Sequence, residues 1–192
     1  MLKKSVWELA NETRGLLSVY DLHTVTASLL LIKKYNQELL DDYIKGNDTK
    51  ELIESFKMAK KNYGLSLNSL KFEEIVLSNS GSWLVSLVLF IYELPSEETN
   101  DLLMSFFDIN KETGGYRTND GVNKLVIKVA KLSSESMVLD PTFGVGTTFN
   151  QILKENPSQQ IVGQEINETI FDIAQISMIC LGAKNVKLYL GD

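Results

Sequence analysis

The sequence predicts a helical N-terminal bundle, residues 1–107, followed by the first half of an open α/β sheet, residues 108–192. Three observations carry this reading. Apolar side chains recur at three-four spacing through the first region, as they do on a helix with one buried face. From residue 136 the pattern becomes strand, helix, strand, helix, strand, over 136–140, 147–155, 160–165, 168–181 and 186–190. Between the two regimes lies a polar stretch, 108–118, with Gly114 and Gly115 adjacent. Paired glycines open backbone conformations that other residues avoid, so the domain boundary is placed there.

Within the first region, Val6, Leu9, Thr13 and Leu16 predict a helix over 5–18. Leu22, Val25, Leu29, Ile32, Leu39 and Tyr43 predict one long helix over 21–45, with Lys33, Lys34, Glu38 and Asp41 on its other faces. Gly46-Asn47-Asp48 ends it, and Asp48 with Glu51 has capping-box spacing for a helix over 49–62 that stops near Gly64. A further helix is expected over 69–79. Trp83 to Leu94 is apolar nearly all round and predicts a buried helix, ended by Pro95; Ser96-Glu97-Glu98 opens the last one, to about Phe107. After the boundary, Val122, Val126 and Val129 share one face of another helix.

Bulk properties narrow the function classes. The 192 residues carry a net charge of −6, with 11 basic and 15 acidic side chains in 1–107 and 8 and 10 in the rest. Neither part has the basic balance of a stand-alone nucleic-acid module. A single cysteine, Cys180, excludes an intrachain disulfide and a cysteine metal cluster and suits a reducing compartment. The N-terminus becomes charged too soon for a signal peptide, and the most apolar run is too short for a membrane span, so the cytoplasm is expected and no membrane partner. His23, the one histidine, lies far in sequence from any other chemistry-bearing motif, and no metal-ligand spacing occurs. Lys57, Lys60 and Lys61 are expected on a solvated helix face.

The chemistry sits at the first strand and turn, Val138-Leu139-Asp140-Pro141-Thr142-Phe143-Gly144-Val145-Gly146. A carboxylate at the C-terminal tip of a parallel strand points into the crevice where open sheets bind ligands. Gly144 and Gly146 let a ligand approach the backbone. Glu165 lies nineteen residues beyond Gly146, at the next strand tip, where an acid can accept both ribose hydroxyls as donors. A dinucleotide would want a third glycine where Phe149 stands, and Asp140 would repel a pyrophosphate. S-adenosyl-L-methionine, with an ammonium, a sulfonium and no phosphate, suits these residues. Asp192, at the third strand's end, can accept from an adenine amine.

Asp140 to Phe149 resembles the cofactor motif of amino-group DNA methyltransferases. More narrowly, Gly163-Gln164-Glu165-Ile166-Asn167-Glu168-Thr169, Ala174 to Met178, and Leu181-Gly182 resemble the modification (M) subunit of type I restriction-modification systems. Gly115-Tyr116-Arg117-Thr118 is similar to the family element that closes over the methionine end, and Trp7 to Gly15 to its opening helix. The resemblance covers the whole chain. It implies a Rossmann-like S-adenosylmethionine-dependent methyltransferase sheet, adenine in DNA as the methyl acceptor, and specificity and restriction subunits as partners. It implies a cofactor cradle of Asp140, Pro141, Phe143, Gly144, Gly146, Glu165, Ile166 and Asp192, with Tyr116 and Thr118 at the methionine end and Ile166 against the adenine ring.

Departures matter as much. Phe143, Val145 and Thr147 replace the family's smaller residues, and the prolines expected after Thr118 and Asn167 are missing. The family's catalytic Asn/Asp-Pro-Pro-Phe/Tyr motif is absent: Pro95, Pro141 and Pro157 stand apart. The expectation is therefore the N-terminal portion of an adenine-specific methyltransferase with no catalytic residues of its own. Its first strand would lack a neighbour and leave an edge and apolar faces bare. Two alternatives are a truncated or degenerate product acting as a non-catalytic interaction module, and a methyltransferase acting on a substrate other than DNA.

Overall fold

The computed structural model describes residues 6–79, 81–109 and 117–192, without the side chain of Trp7. The chain divides into two compact units, Met1–Phe106 and Phe107–Asp192. Among the described residues, no helix is long and apolar enough to cross a membrane.

The first unit is helical: α1 (Val6–Glu12), α2 (Val19–Tyr35), α3 (Glu38–Gly46), α4 (Thr49–Tyr63), α5 (Phe72–Ser78), α6 (Ser82–Glu93), a 3-10 turn (Ser96–Glu98), and α7 (Thr99–Ile109), whose last residues pass into the second unit. α2 is the central element. Every residue from Leu22 to Lys33 is buried, so it has no solvent face along that length. Its start is fixed by a reciprocal capping box: the Ser18 hydroxyl accepts the Asp21 N–H at 3.0 Å, and the Asp21 carboxylate accepts the Ser18 N–H at 3.4 Å.

The single helix expected over 21–45 is two helices. Asn36 is extended (φ −158°), and its side-chain oxygen accepts the Glu38 N–H at 3.1 Å, opening α3. A short polar side chain that offers the backbone a local partner competes with helix continuation. The helices over 5–18 and 69–79 also prove shorter, at α1 and α5. At α4, Asp48 caps the Lys50 and Glu51 N–H groups, and Gly64 (φ +66°) closes the other end. α6 is helical, as expected for Trp83 to Leu94, but buries one stripe of Leu84, Leu87, Val88 and Ile91 and leaves Leu89 exposed.

Lys33, expected on an outer face, is buried. Its ammonium donates to the carbonyls of Ile91 and Tyr92, both at 2.8 Å, and to that of Leu94. These oxygens lie at the C-terminal end of α6, where carbonyls lack intrahelical partners and a cation is favoured. Burial pushes the Lys33 pKa below its ordinary value. Lys33→Met is expected to destabilise the first unit by about 2 kcal/mol, because three hydrogen bonds to a charged group are lost, while the Ile91 carbonyl keeps the Leu94 N–H and the Tyr92 carbonyl keeps the Gln37 amide. Urea unfolding at neutral pH measures this; an unchanged midpoint would show that water replaces the ammonium at no cost.

The second unit contains α8 (Asp120–Ala130), β1 (Met137–Asp140), α9 (Thr147–Glu155), β2 (Gln160–Glu165), α10 (Glu168–Cys180) and β3 (Asn185–Leu190). The strands form a parallel sheet in the order β1-β2-β3. Val138 aligns with Ile161 and Ile161 with Val186, and these side chains contribute to one core with Phe143, Phe149, Ile152, Leu153, Ala174 and Met178. Cys180 is buried, as a core filler should be. The opposite set on β1 is bare: Met137 is 64% exposed and Leu139 65%. Among the described residues β1 pairs with β2 alone, which leaves its other edge open. The face of α8 bearing Val122, Val126 and Val129 is exposed too.

Candidate cofactor site

The C-terminal ends of the three strands place the sequence-predicted residues in register. Asp140, the last residue of β1, aligns with Gly163; Glu165, the last of β2, aligns with Leu190, the last of β3. Past the strand ends, the Gly191 N–H donates to the Glu165 carbonyl at 3.0 Å, which keeps the β3 tip beside β2 and leads into exposed Asp192.

Each of the two strand-tip carboxylates is oriented by its own turn. Asp140 Oδ1 accepts the Thr142 N–H at 3.0 Å. Glu165 Oε1 accepts the Asn167 N–H at 2.7 Å. In both, one oxygen is held by the backbone two residues on, so the side chain is aimed before any ligand arrives. The Asn167 side chain then accepts the Ile170 N–H at 3.1 Å and starts α10. Between these two residues Ile166 is 68% exposed, an apolar side chain standing clear beside Glu165.

The turn from β1 to α9 is anchored from behind: the Phe143 N–H donates to the Gln164 carbonyl at 3.1 Å, and the Gly146 N–H to the Phe143 carbonyl at 2.9 Å. Phe143 itself is buried, its ring 5.6 Å from that of Phe149. It therefore belongs to the core by its side chain and to the turn by its backbone, while Pro141 is exposed at the turn's entrance. Gly144 has φ +57°, and a Cβ there would meet nothing within 4 Å, so the space over it is open. Gly146 has φ +74° and is the N-cap of α9 with no side chain capping it. The first N–H groups of that helix carry a partial positive charge with no side-chain cap. Gly146 itself is buried and a Cβ there would meet Met178 at 2.9 Å, so this glycine makes room for core packing and not, as expected, for a ligand.

The room that a dinucleotide fold makes with a glycine on the helix is made here on the strand. Phe149 occupies the helix position, and Gly163 on β2 lies beneath the rings: a Cβ built there would stand 2.6 Å from Phe143 and 2.7 Å from Phe149. Two aromatic rings thus lie against β2 because one strand residue has no side chain.

Residue-level reasoning missed the polar ties that hold the segment before α8. Asn123, buried on α8, accepts the Thr148 hydroxyl of α9 at 2.9 Å and donates to the Thr118 carbonyl at 3.5 Å. Gln151 reaches the Asp120 carbonyl at 3.4 Å. Exposed Thr118 is so tethered through Asn123 to Thr148 in the first turn of α9, two residues beyond Gly146. Arg117 bonds both oxygens of Asp108, at 3.1 and 2.8 Å. Tyr116 lies outside the described residues. No sequence signal marked Asn123 with Thr148, since two polar residues 25 apart form no pattern until a fold joins them.

Among the described residues no cluster of His, Cys, Asp or Glu could hold a metal ion. The donor set does fit a cationic nucleoside: two aimed carboxylates, an uncapped helix start over an open glycine turn, and an exposed apolar side chain.

Residues 99–192 match the family model described as N-6 DNA Methylase. Among solved structures, the methyltransferase subunit of the type I restriction-modification system from Streptococcus thermophilus is similar in fold, with a TM-score of 0.62 at 14% sequence identity. That likeness covers 97% of this chain and 57% of the other, so this chain spans little more than half the length of its structural relative. No curated protein matches the sequence.

Proposed function

We propose, from the match of residues 99–192 to the N-6 DNA methylase family model, that the chain is the N-terminal part of a type I modification subunit and holds the cofactor half of its site. The observation that carries this is the pair of backbone-aimed carboxylates, Asp140 and Glu165, flanking an open glycine turn at the uncapped start of α9. On this reading the sheet is the first half of a Rossmann-like methyltransferase sheet.

S-adenosyl-L-methionine would supply an electrophilic methyl group on its sulfonium. Glu165 would accept both ribose hydroxyls, and Ile166 would cover one face of the adenine. Asp192 would accept from the adenine amine. Asp140 and the backbone of Pro141, Phe143, Gly144 and Gly146 would take the methionine end, with Tyr116 and Thr118 closing over it. The carboxylates favour the cation, and the helix start favours the methionine carboxylate.

The acceptor proposed for the whole protein is adenine in DNA, in a complex with specificity and restriction subunits. The 192 residues contain no Asn/Asp-Pro-Pro-Phe/Tyr, the motif that would hold a flipped adenine, so on this reading they bind cofactor without transferring its methyl group.

Calorimetric titration of S-adenosylmethionine into the 192-residue chain tests the proposal. Saturable one-to-one binding is expected. Glu165→Ala should weaken it by roughly 10- to 100-fold, the loss of hydrogen bonds to a charged acceptor at about 1.5–3 kcal/mol. Glu168→Ala, on the exposed first turn of α10, serves as the charge control. Equal affinity for the parent and Glu165→Ala would end the ribose assignment; absence of any binding would end the cofactor reading of this chain.

A further inference from the structure

At the opposite end of the sheet from Asp140 and Glu165 lies a second cleft, of about 620 Å³. Two connections build its floor, the one entering β1 (Lys131 to Ser136) and the one entering β2 (Asn156 to Gln159). Gln159, buried, ties them together by donating to the carbonyls of Ser133, at 3.3 Å, and Ser136. Ile127, Leu132 and Ile152 supply an apolar wall. The size falls in the range of small-ligand sites, about 300–1,000 Å³.

The charge around this cleft is unlike that of the chain. Lys124, Lys128 and Lys131 follow one another at i, i+4 and i+7 along α8, so they form one stripe, and Lys154 faces them from α9. Glu155 is the one carboxylate in the lining. The ion pairs found among the described residues do not engage Lys124, Lys128 or Lys131. The C-terminal ends of α8 and α9 both lie here and attract cations, each with roughly half an elementary charge. Lys154 has a partner of its own, and two helix ends and Glu155 together offset about two of the three ammonium charges on α8. The surplus is positive, in a protein whose net charge is −6.

We propose that this cleft binds phosphate groups. Lysine ammoniums act as point charges toward phosphate, and the Ser134 hydroxyl and the second N–H of the Asn156 amide, whose first bonds Gln159 Oε1 at 3.2 Å, stand in the same lining to donate to its oxygens. The phosphate comes either from a free phosphate ester or from a nucleic-acid backbone. The cleft shares no residue with the cofactor site, so this inference is independent of the proposal above.

Tripolyphosphate titrated calorimetrically into the full 192-residue chain at low salt is the first measurement. Saturable binding is expected, weakened at least tenfold in the triple variant Lys124→Gln/Lys128→Gln/Lys131→Gln. The triple variant Lys57→Gln/Lys60→Gln/Lys61→Gln, which removes equal charge from the first unit, should bind within threefold of the parent. Circular dichroism checks both for folding, and Lys128→Gln alone replaces the first triple if that variant is unfolded. A fluorescently labelled DNA duplex displaced by tripolyphosphate assigns the site to backbone phosphate; a duplex that does not bind assigns it to a free ester. Equal weakening in both triple variants, or no saturable binding of either probe, overturns the proposal.

Discussion

Lowering the pH from 7 to 4 is expected to remove about 3 kcal/mol of stability from the helical unit through His23 alone, at about 1.4 kcal/mol per unit of pH. His23 is fully buried on α2, stacked 4.5 Å from the ring of Phe106 at an interplanar angle of 4°. Its Nε2 donates to the Leu103 carbonyl at 3.1 Å. Burial lowers its pKa from 6.5 to about 3, against a smaller opposing effect of that hydrogen bond. The imidazole is therefore neutral in the folded protein, while the unfolded chain protonates it below pH 6.5. Between these values the unfolded state binds the extra proton, so stability is full above pH 6.5 and falls as pH drops toward 3. Urea denaturation at pH 7, 6, 5 and 4 gives the slope. In His23→Gln, which cannot titrate, the slope between pH 6.5 and 4.5 should nearly vanish, although the variant starts less stable. If parent and variant lose stability in parallel, surface carboxylates and not His23 govern the acid limit.

Gly163→Ala is the second large effect, expected to destabilise the sheet unit by about 3 kcal/mol, at the upper end of ordinary overpacking. The added methyl would stand under 3 Å from Phe143 and Phe149, both buried, and 3.1 Å from Leu188. Neither ring can withdraw into solvent, so one must tilt, and tilting Phe143 moves the backbone of the glycine turn. Cofactor affinity should fall together with the thermal midpoint. The paired variant Gly163→Ala/Phe149→Leu restores room and should recover part of both. A single substitution that leaves the midpoint within a degree would show that the rings yield freely.

How much of this was legible beforehand depended on how local each cause is. The strands, their helices and the acids at their tips were readable because alternation and a carboxylate-glycine turn are short-range signals. The break at Asn36 was not, since Tyr35-Asn36-Gln37 holds neither glycine nor proline. The cap at Ser18 was missed because Asp21 stands where a glutamate is usual. Lys33 looked like a solvent residue by type; only the arrival of the end of α6, some 58 residues later, makes it an interior cap. At the site, Asp140, Gly144 and Glu165 stand at the strand ends where the sequence put them. Phe143 was grouped with them by proximity, yet its ring serves the core, a distinction of side-chain direction that spacing does not encode.

The strand order has a consequence for how the second unit forms. Sheet order equals chain order, and partners are close in sequence: Met137 aligns with Gln160, and Gln160 with Asn185. Each pairing closes a loop of only some two dozen residues, and loop-closure entropy grows slowly with such lengths. A chain emerging from a ribosome can thus zip β2 onto β1, and β3 onto β2, in the order of synthesis. Growth runs away from β1, whose open edge is then the oldest part of the sheet and the longest exposed to other chains.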